Sequence, residues 1–298
     1  MRCIICASLC FFLFNIYQTA GQSGRLESEY KLDIPQEDVS NLWDFVKSTY
    51  SKDSFNLAGI SLSGEESIEI FIDHYFDLPD GRFSDAEISL RHRKRYKDDI
   101  LLKELIQLKT PFSEDKVVRN EIKFDVKSKK KINDISNRHP LLKLMSASDQ
   151  ERMSFHLAKF KVRPEQVQES LKLKQTRKRI YIKDAEGESV ATITLDEVSN
   201  FSFPFQDYAE LELELNEIRY TNANELERSK MTELNNHIKS ELATKFPRLE
   251  IDQRSKYRKM KLLIDNSKIS YVYKNGMWLF FGVIISLSSF LFIKDHWL

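Results

Sequence analysis

Tyr208-Ala209-Glu210-Leu211-Glu212-Leu213-Glu214-Leu215 alternates carboxylates with leucines. In an extended strand, alternate side chains share a face, so Glu210, Glu212 and Glu214 lie together and the leucines lie opposite. Leu90-Arg91-His92-Arg93-Lys94-Arg95 does the same with Arg91, Arg93 and Arg95. The stretch Arg25 to Ile34 aligns Glu27, Glu29 and Lys31. Arg119, Glu121 and Lys123 form another set, as do Leu105, Gln107 and Lys109, and Arg177, Arg179 and Tyr181. A water-facing strand face usually mixes signs, because like charges on neighbouring strands repel. Here arginines collect in some strands and glutamates in others. Two arrangements fit: ordinary charged outer faces, or a closed sheet whose charged face lines a wet interior. In the second, leucine and isoleucine faces look outward and need helices to cover them. A barrel of about eight strands can hold one small ligand.

Strand-like stretches are Leu26–Ile34, Ser67–Phe76, Glu87–Tyr96, Leu101–Leu108, Val117–Val126, Leu171–Lys183, Ser189–Val198 and Tyr208–Arg219. Turn signals such as Pro79-Asp80-Gly81 and Asp184 to Gly187 point to antiparallel pairing. Helical spacing follows Pro35 (Val39, Leu42, Phe45, Val46) and a capping box at Ser148 and Glu151. It recurs at Leu226, Leu234, Ile238, Leu242 and Phe246, stopped by Pro247, and in a basic stretch near Asp252–Asn266. The expected fold is mainly β (α+β): a closed eight-stranded antiparallel β tunnel or barrel with flanking helices. Lys127–Lys131 reads as a solvated loop.

The 298-residue chain keeps all three cysteines at Cys3, Cys6 and Cys10, so its body offers no disulfide, zinc-thiolate site or thiol nucleophile. A net charge of +1 gives no bulk attraction to nucleic acid. After Arg2, the apolar run Cys3–Tyr17 precedes Thr19, Ala20 and Gly21, so residues 1–21 read as a signal peptide or N-terminal anchor. Met277–Ile293 is uncharged and bordered by Trp278, Lys294 and Trp297; it reads as a transmembrane helix behind a basic helical linker, 251–276. Arg258, Lys259, Lys261, Lys268 and Lys274 would hold the preceding side in the cytoplasm, whereas the leader favours export. The first segment usually dominates, so the expectation is a membrane-anchored domain on the exported side.

Arginine and lysine sets suit phosphate oxygens, and carboxylate sets suit a hard divalent cation; together they suit a metal-bound polyphosphate. No P-loop or GxSxG is present, and the six histidines lack metal-ligand spacing. His92 lies on the face opposite Arg91 and Arg93, where packing is its role.

Glu27-Ser28-Glu29-Tyr30-Lys31 resembles the ExExK signature of the CYTH domain, within the triphosphate tunnel metalloenzyme superfamily. His74–Asp80 resembles the family's aspartate–x–proline turn, Ser89–Arg93 its LRxR strand, Gln107–Lys109 its strand ending in lysine and Arg119–Glu121 its RxE. Arg177–Tyr181, Ile193–Val198 and Glu210–Glu214 complete the series over about residues 25–220, and the domain is expected over 25–250.

The resemblance implies an eight-stranded tunnel that binds triphosphate with Mg²⁺ or Mn²⁺. It gives catalytic roles to Glu27, Glu29 and Lys31. Phosphate binding falls to Lys31, Arg91, Arg93, Lys109, Arg177 and Arg179. Metal binding falls to Glu27, Glu29, Glu121, Glu212 and Glu214, with Glu210 able to replace one of the last two. Asp196 is structural or near the metal. Arg91–Arg95 and Lys103–Lys109 also resemble VTC polyphosphate-polymerase domains, and Lys127 to Val167 carries no family motif. The expected activity is metal-dependent hydrolysis of inorganic triphosphate or another triphosphate or polyphosphate. The alternatives are adenylate cyclisation or polyphosphate synthesis from ATP, or a non-catalytic membrane-tethered polyphosphate binder. Inward-facing arginines cannot reach a duplex, so no nucleic acid partner is expected.

Overall fold

The computed structural model describes residues 25–111, 118–126, 140–201 and 206–267. The leader, the apolar run 277–293 and the Lys127–Lys131 cluster lie outside the described residues, within which no helix is long and apolar enough to cross a membrane. The strands are β1 (Arg25–Ser28), β2 (Tyr30–Ile34), β3 (Phe55–Leu57), β4 (Ile60–Asp77), β5 (Ser89–Lys97), β6 (Ile100–Pro111), β7 (Val118–Asp125), β8 (Gln168–Lys183), β9 (Ser189–Asn200), β10 (Asp207–Leu215) and β11 (Glu250–Ile251). Every ladder is antiparallel, in the order β1-β7-β6-β5-β4-β8-β9-β10-β2-β11, with β3 on β4.

The expected closed ladder is therefore not continuous. β1 and β2 are halves of one extended stretch, interrupted at Glu29. Among the described strands β1 pairs only with β7, from Arg25↔Glu121 to Ser28↔Val118, and β2 pairs with β10 from Tyr30↔Leu213. The two ladders are staggered and do not overlap on the N-terminal stretch. The ends of the sheet meet through the covalent chain at Glu29, and short β3 and β11 are additions to the eight long staves. The last predicted strand stops at Leu215, because the Asn216 side chain accepts from the Arg219 amide and caps a short helix, Glu217–Asn222.

Helices cover the apolar outer faces, as the alternation requires. α1 (Val39–Tyr50) buries Val39, Leu42, Trp43, Val46 and Tyr50, a stripe of 3.6 periodicity. With α3 (Glu225–Lys245), which contributes Met231, Leu234, Ile238 and Leu242, it packs on Leu32, Ile34, Leu195, Leu211 and Leu213. Leu226, placed on that face by the spacing, is exposed. α2 (Ala147–Ala158) sets Met153 and Leu157 against Leu90, Ile106, Leu108 and Phe124. Each such buried side chain contributes about 1.5–3 kcal/mol. The α2 cap is Ser146, whose hydroxyl accepts from the Asp149 amide at 3.1 Å. The predicted box at Ser148 falls two residues late, since Ala147 and Ser148 are already helical.

The last helix among the described residues, α4 (Lys256–Asn266), falls in the stretch read as a basic linker, yet Lys256, Tyr257, Lys259 and Met260 are buried. Tyr257 and Met260 pack with Tyr75, Leu171, Leu173 and Val198, which lie on inward faces, and Tyr257 stacks on Tyr75 at 5.0 Å. α4 thus plugs one end of the tunnel. Asp77, the last residue of β4 before the turn, accepts from the amides of Leu78 (2.7 Å), Phe83 (2.8 Å) and Ser84 (3.1 Å) and from the Tyr257 hydroxyl (2.8 Å). The family-like aspartate of this turn therefore ties the plug to the sheet.

Gly64 passes the end of α1 so closely that a Cβ would lie 1.7 Å from the Tyr50 carbonyl oxygen. Its amide donates to the Lys52 carbonyl at 2.8 Å, which holds the approach. Gly64→Ala should lower the thermal midpoint by several degrees, by forcing α1 off the sheet. A midpoint equal to wild type would contradict this packing.

Candidate active site

The inward faces enclose a cavity of about 330 Å³. Glu29, Lys31, Arg91, Arg93, Lys109, Glu121, Arg177, Arg179, Glu212 and Glu214 all line it. Glu27 lies on β1 at the register position opposite Arg119. Eleven lysines and arginines line the cavity against four glutamates, so it attracts anions. Its blind end carries Ser255 and Lys256 from the start of α4; its other end carries Arg95, Lys103, Lys123, Arg179 and Tyr181, with Lys103 exposed.

The side chains form a ring of alternating charge around the wall. Arg91 donates to Gln107 at 2.8 Å, and Gln107 to Glu121 at 2.6 Å. Lys109 lies 3.8 Å from Glu121 and 3.2 Å from Glu29. Lys31 lies 2.5 Å from Glu29 and 3.6 Å from Glu212. Arg177 donates to Glu212 at 2.8 Å and grips Asp196 in bidentate fashion at 2.7 and 2.6 Å. Gln175 donates to Asp196 at 2.9 Å and accepts from Arg93 at 3.3 Å. Arg93 is bidentate to Asp73, both bonds at 2.6 Å, and Asp73 returns to Arg91 at 3.4 Å. All eight staves contribute. Five cations meet five carboxylates, so the ring is self-neutral. It also crosses Glu29, where the backbone ladder is interrupted.

The surplus positive charge therefore sits outside the ring. Arg179 donates to Thr194 and Tyr181 and keeps only a 3.8 Å approach to Glu69. Lys103 has no ion pair among the described residues. Burial alone would raise the Glu29 carboxyl, but Lys109 and Lys31 hold it well below the usual carboxylate range. Glu212 is likewise held low against its burial, by Lys256, Arg177 and Lys31. Both are ionised at neutral pH.

Among the described residues, one carboxylate group has the spacing of a cation site: Asp196, Glu210 and Glu212, with oxygens within 4.8 Å of one another. An ammonium already fills it. Lys256 Nζ lies 2.9 Å from Asp196 and 2.6 Å from Glu212 and pairs with Glu210, which also meets Lys259 at 2.8 Å. Burial would lower the Lys256 ammonium, but Asp196, Glu210 and Glu212 hold it well above the ordinary lysine value. Glu210, read as a substitute metal ligand, is thus turned to α4 and does not line the cavity. Sequence reasoning missed Asp73, Gln175 and the roles of Lys256 and Lys259, and it placed Gln107 on the right face without its relay role.

A β tunnel with inward cations, paired carboxylates and one plugged end is an anion-binding tunnel. The chain belongs to the CYTH domain family, whose sequence pattern matches residues 46–249. That match excludes Glu29, Lys31 and α4. Among solved structures, the PH1819 protein of Pyrococcus horikoshii is similar at 19% identity over 81% of this chain and 99% of its own (TM-score 0.44). HpAC1 of Hippeastrum, an adenylyl cyclase candidate reported to reveal a dominant triphosphatase activity, shows 18% identity over 79% and 95% (TM-score 0.42). An RNA triphosphatase of S. pombe shows 13% identity over 88% and 90% (TM-score 0.34). No curated protein sequence is significantly similar to the chain.

Proposed function

We propose that the tunnel binds inorganic triphosphate or a short polyphosphate and hydrolyses a terminal anhydride with Mg²⁺ or Mn²⁺. The observation that carries this reading is the surplus of cations in a cavity of about 330 Å³ with one plugged end. A linear polyphosphate brings several negative charges in a narrow chain. Arg179 and the mouth cations meet it first. Lys31, Lys109, Arg91, Arg93 and Arg177 then exchange ring partners for phosphate oxygens, which fit the guanidinium fork. Glu29, Glu212 and Glu214 supply only carboxylate oxygens, a donor set that fits a hard divalent cation, and would hold it beside the phosphates. When bound, the cation neutralises phosphate charge and polarises the anhydride. Glu29 orients the attacking water. The water oxygen bonds to the terminal phosphorus, the bond to the bridging oxygen breaks, that oxygen leaves on the chain shortened by one phosphate, a proton of the water is released to solvent, and orthophosphate departs.

The terminal apolar runs support a membrane-anchored protein with the tunnel on the exported side. The full chain, purified in detergent, should release phosphate from tripolyphosphate with Mg²⁺ or Mn²⁺ and not with EDTA. A folded protein without release overturns hydrolysis. Cyclic AMP or polymer formed from ATP would replace it with cyclisation or synthesis, and tight binding without turnover with a binding role.

A further inference from the structure

The far end of the β5–β6 hairpin is apolar and uncovered. Ile100, Leu101 and Leu102 are 65%, 46% and 51% exposed, and Ile68 of adjacent β4 is 50% exposed. The turn between the strands is Asp98–Asp99, both left-handed (φ 49° and 60°), which makes a tight two-residue connection. This tip is also the rim of the cavity mouth, because Arg95 and its register partner Lys103 line the cavity. Three consecutive exposed aliphatic residues on a strand end invite association and need a partner.

The course of the chain identifies that partner. β1 is antiparallel to β7, and β7 to β6, so β1 runs in the same direction as β6. β6 runs away from the tip, so β1 does too, and Arg25 is its tip-side end. Arg25 pairs with Glu121, which pairs with Lys109. Ile100 is nine residues before Lys109, or about 30 Å along the strand. The apolar run Cys3–Tyr17 ends eight residues before Arg25, a reach of up to about 28 Å. A connection of that length, if extended, would bring the end of that run level with the hairpin tip. A bilayer that holds one can receive the other.

We infer that the β5–β6 tip rests in the interface of the bilayer that holds the N-terminal apolar run, which is retained as an anchor. Ile100, Leu101 and Leu102 enter the boundary of the acyl region, with Lys97 and Lys103 reaching back to the headgroups. Asp98 and Asp99 offset those two lysines, so apolar burial suffices for attachment to zwitterionic lipid. The cavity mouth then faces the membrane plane, whatever reaction the tunnel performs.

The test uses the full chain, reconstituted one copy per nanodisc in zwitterionic lipid. The native cysteines are replaced (Cys3→Ala, Cys6→Ala, Cys10→Ala). An environment-sensitive fluorophore is attached through Leu101→Cys or, as a control in the connection between β4 and β5 at the opposite end of these strands, through Asp80→Cys. The expected result is a blue-shifted emission at position 101 that doxyl-labelled lipid quenches and 1 M salt does not reverse, with an aqueous, unquenched signal at position 80. Leu102→Asp, a change at an exposed site, should weaken the quenching at 101 while leaving the circular dichroism unchanged. An aqueous signal at 101 overturns the inference. So does a blue shift without doxyl quenching, which would mean that protein covers the tip, and so does mass spectrometry that finds the leader removed.

Discussion

Glu29→Gln is expected to lower phosphate release from tripolyphosphate about a hundredfold or more, the usual cost of losing one preorganised charged group from an active site. Glu29 is the shared counter-ion of Lys31 and Lys109, and a carboxamide cannot balance two ammonium groups. It also removes the carboxylate assigned to the water and the cation. The same change should cost about 1–3 kcal/mol of stability, because the residue closes the charge ring at the ladder break. Rates at saturating metal and substrate, beside a urea unfolding curve, separate the two effects. Glu65→Gln, at an exposed position paired with Lys183, should leave both unchanged. Wild-type turnover in Glu29→Gln would remove the residue from the reaction.

Asp73→Ala should destabilise the fold by about 3–5 kcal/mol, since it strands a buried guanidinium rather than deleting a whole ion pair. Arg93 loses both bonds of its fork and Arg91 loses its carboxylate partner. The pH dependence carries a matching sign. Burial would raise the Asp73 carboxyl, but Arg93 and Arg91 lower it to about 2. Its folded value lies below its unfolded one, so its stabilisation is complete above about pH 4 and fades as pH falls towards 2. The wild type should therefore lose about 2 kcal/mol through this group in that window, and Asp73→Ala should lose correspondingly less. Parallel acid-unfolding curves for the two proteins would refute the assignment.

The staves and most of their inward residues were legible because strand geometry is local. A period of two sorts side chains by face without reference to any partner, and Glu212, Arg91 or Arg177 announce their face through like-charged neighbours. Asp73 stands between Phe71 and Tyr75, so its face looks aromatic; the spacing of Glu69, Asp73 and Asp77 was the available signal. Gln107 and Gln175 are relays whose meaning depends on the residues across the tunnel. Lys256 and Lys259 share a helix face, but nothing local says that the face meets Asp196 and Glu210. The break at Glu29 is a property of two ladders and not of one strand. It could not be read from an alternation that runs through it unbroken.

The pairing of β2 with β10 has a further consequence during synthesis. Leu32 meets Leu211, about 180 residues later in the chain. At 5–20 residues per second, the first strand emerges roughly 10–40 s before its partner exists. The barrel wall therefore has high contact order, and its closing step belongs to the slow end of single-domain folding. Until then the nascent strand shows an open edge. Lys31 and Glu29, whose partners across the wall, Glu212 and Lys109, are not yet in place, resist burial in any mismatched pairing. The same charges that later complete the ring keep the unfinished wall from sticking to its neighbours.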